Sequence, residues 1–356
     1  MKSIYLIPIG ALLFSCGDTP KVTEDRGNNK KEGTLFQVQA VAETEAVSAD
    51  PEDDAADDPA IWYNAKKPEL SLILGSDKTN GIDLFNLDGK RMATYRIGRI
   101  NNVDIRQGWK DSLDIVGGSH RDRLSMEFWL MNGDSSRMSH IGGVSSELED
   151  VYGFCLYRSP RTQDLYAFIN SKTGDIEQWK LSMTGDSLSG EKVRTLKVPS
   201  QPEGMVADDS LAVIYIGEEG GGIHRFGAEP QDGQASKRLK LSGEDNPAIQ
   251  YDVEGLTIYY KPNGKGYLIA SSQGNNTYAV FERSGENKYL GSFEISDGVV
   301  DGVSETDGID VIRYPLGDDY PQGMFVCQDG FNFEGETKVA QNFKIVSWEN
   351  IERNLK

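Results

Sequence analysis

The chain has 356 residues, with 37 Lys and Arg against 56 Asp and Glu, a formal net charge of −19. That length allows a large core. The acidic balance argues against nonspecific nucleic-acid binding and against docking on anionic lipid by charge alone, and suits a protein that collects cations.

Lys2 is followed by an apolar run from Ile4 to Phe14, too short to span a bilayer as a stable helix. The run ends in Leu13-Phe14-Ser15-Cys16-Gly17, which resembles a bacterial lipoprotein signal whose cysteine is lipidated after cleavage. Residues 1–16 are therefore expected to be a signal peptide with Cys16 lipidated. Residues 17–34, polar and rich in Gly, Asn and Lys, read as a tether. The protein is expected to be exported and lipid-anchored to a bacterial envelope membrane, on its periplasmic side or at the cell surface.

The segment Phe36–Glu45 has the pattern of an unpaired strand. After it, a polar residue opens an apolar strand six times, at Asp58, Asn102, Asp150, Glu203, Glu254 and Asp307, roughly 50 residues apart. A second strand follows each opening: SLILGSDK, LDIVGGSHR, LYAFINSK, AVIYIGEE, GYLIASSQ and GMFVCQD. Turn signals such as Asn80-Gly81, Asp88-Gly89 and Asn263-Gly264 punctuate the strands, and helical periodicity is scarce. The pattern predicts an all-β protein, a single six-bladed β-propeller over residues 35–356. The sixth unit has a third strand in QNFKIVSW, so the ring is expected to close by pairing of N-terminal and C-terminal strands in the last blade, which protects an edge. Cys155 and Cys327 sit mid-strand among apolar residues and read as buried thiols.

A propeller brings equivalent positions to one channel mouth. The second strands of units one to three end in Asp77-Lys78, His120-Arg121 and Lys172, whereas unit four ends in Glu218-Glu219 and units five and six in Gln273 and Gln328-Asp329. One half of the mouth is thus expected to carry cations and the other acids, among them Glu203, Glu219, Asp252, Glu254, Asp301 and Asp307. Close carboxylates need neutralising, and oxygen ligands from several directions suit Ca²⁺. His120, His140 and His224 form no ligand-spaced set for zinc. There is no G-x-S-x-G elbow and no P-loop. At this level a structural metal site or binding platform and a metal-dependent hydrolase both stand.

The motifs DDPAIW, INNVDIR, DVYGF, PEGMVADD, DVEGLTIYY, YLIASSQGNNTYAVFER, SETDGIDV and QNFKIVSWE narrow the choice. Over about Glu43 to Trp348 the chain resembles the β-propeller (alkaline) phytases. The resemblance implies a six-bladed ring and calcium-dependent, 3-phytase-type hydrolysis of phytate, myo-inositol hexakisphosphate, to phosphate and lower inositol phosphates. It also implies direct attack by a calcium-bound water without a covalent intermediate. Carried over by motif, the calcium ligands for several ions fall on Asp57, Asp58, Asp104, Glu203, Glu219, Asp252, Glu254, Asp301 and Asp307. The phosphate grip falls on Lys78, Arg121, Tyr152 and Lys172, with Asn102 lining the same mouth. Catalysis is implied for the four grip residues together with Glu203 and Glu219. Thr173 stands where the family often has an acid, and Asp77 where a second lysine can occur. The implied partner is phytate or calcium phytate, with no nucleic acid, the membrane met through the lipid anchor only, and the ring a monomer. A calcium-dependent lactonase or esterase propeller and a non-catalytic calcium-stabilised binding propeller are the competing readings. Lys78, Arg121 and Lys172 count against the lactonase, which needs few cations at its mouth.

Overall fold

The computed structural model describes residues 33–110, 113–133, 137–185 and 187–355. Cys16 and the rest of the proposed signal and most of the tether lie outside them. Six four-stranded antiparallel blades follow one another along the chain. Their innermost strands are Ala56–Trp62, Ile100–Lys110, Phe154–Arg158, Pro202–Asp208, Val253–Tyr260 and Ile309–Ile312. Each inner strand packs on the next, and the sixth packs on the first, so the ring is closed.

Antiparallel hairpins bury both faces of each blade against neighbours, which is why the central strands read as continuous apolar runs. The core is accordingly divided into six layers between blades. Between blades six and one, for example, Ile73 and Phe85 meet Phe343 and Ile345. Between blades two and three, Phe128 lies edge-on to Phe154 at 6.1 Å between ring centroids.

The N-terminal segment closes the ring in two places. Ala42–Glu43 pairs antiparallel with the C-terminal strand Asn342–Ser347 and completes blade six, as the sequence implied. The preceding strand, Thr34–Gln39, does not join that blade. It runs parallel to Tyr289–Ser296 and adds a fifth strand to blade five. A break at Ala40–Val41 splits the expected single strand, so it covers the edges of two adjacent blades. Phe36 stacks on Phe293 at 5.8 Å and Val38 is buried, which gives this outer strand an apolar reason to stay. The chain ends in one short helix, Trp348–Glu352, whose Trp348 stacks on Tyr259 at 3.9 Å.

Candidate active site at the ring mouth

Strand register identifies which residues share a position around the channel. Pro59, Val103, Phe154, Met205, Leu256 and Ile309 are paired with Gly75, Gly118, Ile169, Ile216, Ala270 and Cys327 of the respective second strands. Two residues earlier on each inner strand stand Asp57, Asn101, Tyr152, Glu203, Glu254 and Asp307. The sequence placed the first three of these openings at Asp58, Asn102 and Asp150. The register places them at Asp57, Asn101 and Tyr152 instead, and the same β-bulge precedes Pro59, Val103, Met205 and Leu256. Three residues beyond the second-strand partners stand Lys78, Arg121, Lys172, Glu219, Gln273 and, in blade six, Gly330 rather than Gln328 or Asp329.

Glycine accounts for how closely the inner strands approach. A Cβ on Gly153 would lie 1.9 Å from the Glu203 carbonyl oxygen, and one on Gly204 2.2 Å from that of Glu254. Their absence lets one backbone lean on the next, and Gly255 N–H donates to the Asp307 carbonyl at 2.6 Å. The residue that precedes each of these glycines, Tyr152, Glu203 and Glu254, is thereby drawn to the mouth.

The acids converge there. Carboxylate oxygens of Glu203, Glu219 and Glu254, from blades four and five, lie within 4.8 Å of one another. Burial, then Glu203, raises the Glu254 carboxyl well above the usual range. Burial raises Glu219 to about 7, with Gln201 opposing and Glu203 and Asp252 assisting. Asp307 is likewise pushed up to about 7, first by burial, with Lys78 pulling it back. The buried Glu254 Oε2 has no hydrogen-bond partner, and neither oxygen of buried Asp57 has one of good geometry. Buried carboxylates that press on one another, some of their oxygens without donors, are chemically suited to a bound cation. A set made wholly of oxygens from several directions fits a hard dication such as Ca²⁺. No histidine is near enough to suit zinc: His120 contacts the Ile97 carbonyl, His140 Glu127 and His224 Glu218.

The cations do not form a separate half. Lys78 Nζ sits among acids, 2.7 Å from Asp54, 3.1 Å from Asp57 and 3.0 Å from Asp307. It is only 8% exposed. Arg121 and Lys172 do stand together. They flank the Tyr152 ring at 5.6 and 4.2 Å from its centroid, and Lys172 is exposed. Burial, then Glu203, keeps the Tyr152 hydroxyl protonated.

Four expected site residues lie elsewhere or deeper. Asp58 and Asn102 sit one step down the channel, where Asp58 Oδ2 accepts from the Val103 N–H at 3.1 Å. Asp104 is deeper still. Its carboxylate is taken by Arg106, 2.9 Å away, and by the Leu156 N–H at 2.8 Å. Asp301 accepts from the Phe333 N–H at 2.8 Å and pairs with the buried Lys344, which also meets Glu43. Asp252 is half-buried beside the mouth and acts on Glu219 by charge. Of the two departures noted in the sequence, Asp77 Oδ1 caps its own turn at Thr79 and Asn80, and Thr173 bonds Asp175.

The structure adds site residues to which the sequence reading gave no role. Asp54 pairs with Lys78, Gln273 Nε2 donates to Asp307 at 2.7 Å, Gln201 Nε2 donates to Glu219 at 2.6 Å, and Asn101 donates to Glu203 at 2.7 Å. The acidic run DDAADD was the one signal for Asp54. The amides carried none, since a single Asn or Gln at a strand end is ordinary turn chemistry.

A large cleft between blades one and six is lined by Leu70, Met92, Tyr95 and Leu316 and holds none of these acids. The convergence of charge, not the size of the hollow, marks the site. Cys155 and Cys327 are free and buried, and Ser119 spends its hydroxyl on the Tyr152 carbonyl. Neither of these cysteines nor Ser119 therefore presents a nucleophile at the mouth.

Comparison with known proteins agrees with this geometry. The Phytase family model matches residues 3–356. A 3-phytase of Bacillus subtilis (strain 168) is 44% identical over 331 residues, covering 90% of this chain and 86% of that protein. Among solved structures, the β-propeller domain of Cps50 (Swd1) of Myceliophteria thermophila overlaps with a TM-score of 0.47 at 11% identity, over 82% of this chain and 83% of that one. A chain of a mitotic checkpoint complex overlaps at 0.48 and 12%, over 93% and 88%. Both likenesses are too distant to bear on the site.

Proposed function

Starting from the fact that the chain belongs to the phytase family and hydrolyses phytate as a 3-phytase-type phosphoric monoesterase, we propose that its mouth works by a division between a cation cradle and a phosphate grip. The observation that carries this reading is the cluster of Glu203, Glu219 and Glu254 beside the Arg121–Tyr152–Lys172 stack. Glu203, Glu219 and Glu254, with Asp57 and Asp307 across the mouth, would hold Ca²⁺. Calcium there would offset the charge of the phosphate and make a water more acidic.

The chain's own groups do the rest. Arg121 and Lys172 meet the phosphate oxygens as charge-assisted donors, and Tyr152 fixes the spacing between them. Lys78 comes from blade one, beside the blade that carries Arg121. As the family resemblance implies, phosphorus would be attacked by water rather than by the protein, with no covalent enzyme intermediate, and the burial of Cys155 and Cys327 supports this. As charge shifts in the transition state, the three cations stabilise the equatorial oxygens.

This arrangement answers how a chain of net charge −19 handles a polyanion. Phosphate release from phytate at graded calcium, with and without chelator, tests it. Activity unaffected by excess chelator would sink the cation cradle.

Export and anchoring through Cys16, with the ring as a monomer, complete the proposal. Support comes from the Leu13-Phe14-Ser15-Cys16-Gly17 pattern. Membrane fractionation of Cys16→Ala is the test, and a variant still held in the membrane would show another anchor.

A further inference from the structure

Arg121 makes one side-chain hydrogen bond among the described residues, from Nη1 to Asn101 Oδ1 at 3.2 Å. The other end of the same amide donates from Nδ2 to Glu203 Oε1 at 2.7 Å, and to Asn102 Oδ1 at 3.1 Å. Asn101 is fully buried. By register it holds the ring position of Asp57, Tyr152, Glu203, Glu254 and Asp307. It is thus the one amide on a ring otherwise made of acids and a tyrosine.

The chemistry at this position is restrictive. The group must accept from a guanidinium on one side and donate to a carboxylate on the other, and a primary amide does both with fixed geometry. Turning the amide over would set NH₂ against the guanidinium and oxygen against the carboxylate, so its orientation is locked by its two charged neighbours. A carboxylate here would face Glu203 with like charge, and a cation would face Arg121.

We propose that Asn101 is a positioning residue for phytate hydrolysis, its one amide holding Arg121 over the mouth and turning Glu203 toward Glu219 and Glu254. Phosphate grip and cation cradle, which come from different blades, are then aligned by a single side chain. This inference rests on the reading of Arg121 as a phosphate donor.

The test is a double-mutant cycle on the full chain with Asn101→Ala, Arg121→Ala and both. Inorganic phosphate is the probe, titrated calorimetrically at saturating calcium, with KM and kcat on phytate measured alongside. Asn101→Ala is expected to weaken phosphate about tenfold, the scale of a hydrogen bond to a charged group. It should raise KM more than it lowers kcat and raise half-saturating calcium about fivefold through Glu203. The double variant should be within about twofold of Arg121→Ala, because the amide acts through the guanidinium.

Additive losses in the cycle would overturn the Arg121 half of the proposal, and an unmoved calcium requirement the Glu203 half. Phosphate affinity unchanged in Arg121→Ala would instead remove the grip reading on which both stand. Asn101→Ser guards against a folding failure. Its hydroxyl is too short to reach both partners, so it should show the same loss with a wild-type melting temperature, and full phosphate affinity in it would overturn the proposal.

Discussion

Lys78 Nζ lies 3.1 Å from Asp57 Oδ2, at the start of the first blade's inner strand, and it is the only cation within reach of that buried carboxylate among the described residues. The same ammonium is shared with Asp307 and Asp54. One positive charge cannot neutralise three negative ones. Burial alone would lower the lysine, but Asp57, Asp307 and Asp54 outweigh it and raise Lys78 well above its ordinary value. Asp57, by contrast, is still pushed well above the carboxylate range, first by burial, despite Lys78. Lys78 is thus the internal counter-ion of a site with acid to spare.

Lys78→Met should therefore destabilise the calcium-free protein by about 3 kcal/mol, the cost of leaving a buried charge unpaired. Added calcium should raise the melting temperature of this variant more than that of the wild type, because an ion can take over the lost ammonium. Equal calcium shifts in the two proteins would show that Lys78 and the cation do not share ligands.

The ring was legible because its signal is repeated. Each blade buries both faces, so second strands such as Leu72–Asp77 and Leu165–Asn170 are buried throughout and mostly apolar, and six such runs leave few alternatives. The acids at Glu203, Glu254 and Asp307 were legible for the same reason, each followed by a glycine that closes the channel. Register was not legible. The mouth position is Asp57 rather than Asp58 and Asn101 rather than Asn102, a one-residue slip that leaves composition unchanged and reverses side-chain direction. The pairings of Asp104 with Arg106 and of Asp301 with Lys344 are contacts no spacing rule encodes.

Gly204→Ala should cost about 1–3 kcal/mol, the usual range for a methyl forced into a packed site. The new Cβ would stand 2.2 Å from the backbone oxygen of Glu254, and backbone cannot swing aside as a side chain can. Because the shift falls between Glu203 and Glu254, calcium affinity should drop together with stability. Denaturant unfolding and calcium titration of the one variant check both, and a wild-type midpoint would contradict the close-approach account.

Cys155 and Cys327 should resist thiol reagents in the native protein and react only on unfolding. Both are buried and free, and burial raises the Cys327 thiol to about 12, so little thiolate exists at neutral pH. Peptide mapping after alkylation with and without denaturant reads the two sites separately. Rapid native labelling of either would mean that its blade opens.

The division of labour at the mouth gives the sharpest contrast between variants. Arg121→Ala and Lys172→Ala each remove a charge from the developing phosphoryl transition state, which in a shielded site is worth roughly 2–4 kcal/mol, or about 10²–10³ in rate. Lys172 is exposed and flanks Tyr152, so it should lie at the lower end, and its removal should leave stability nearly unchanged. Glu203→Gln instead removes a charge from the cluster with Glu219 and Glu254. It should weaken calcium binding, and part of the lost rate should return at high calcium by mass action. No calcium concentration should restore the arginine or lysine variants, because a missing donor cannot be titrated back. Initial phosphate release against calcium for each variant, with melting temperature recorded alongside, decides the matter. Rescue of Arg121→Ala, or none of Glu203→Gln, would reverse the assignment of grip and cradle.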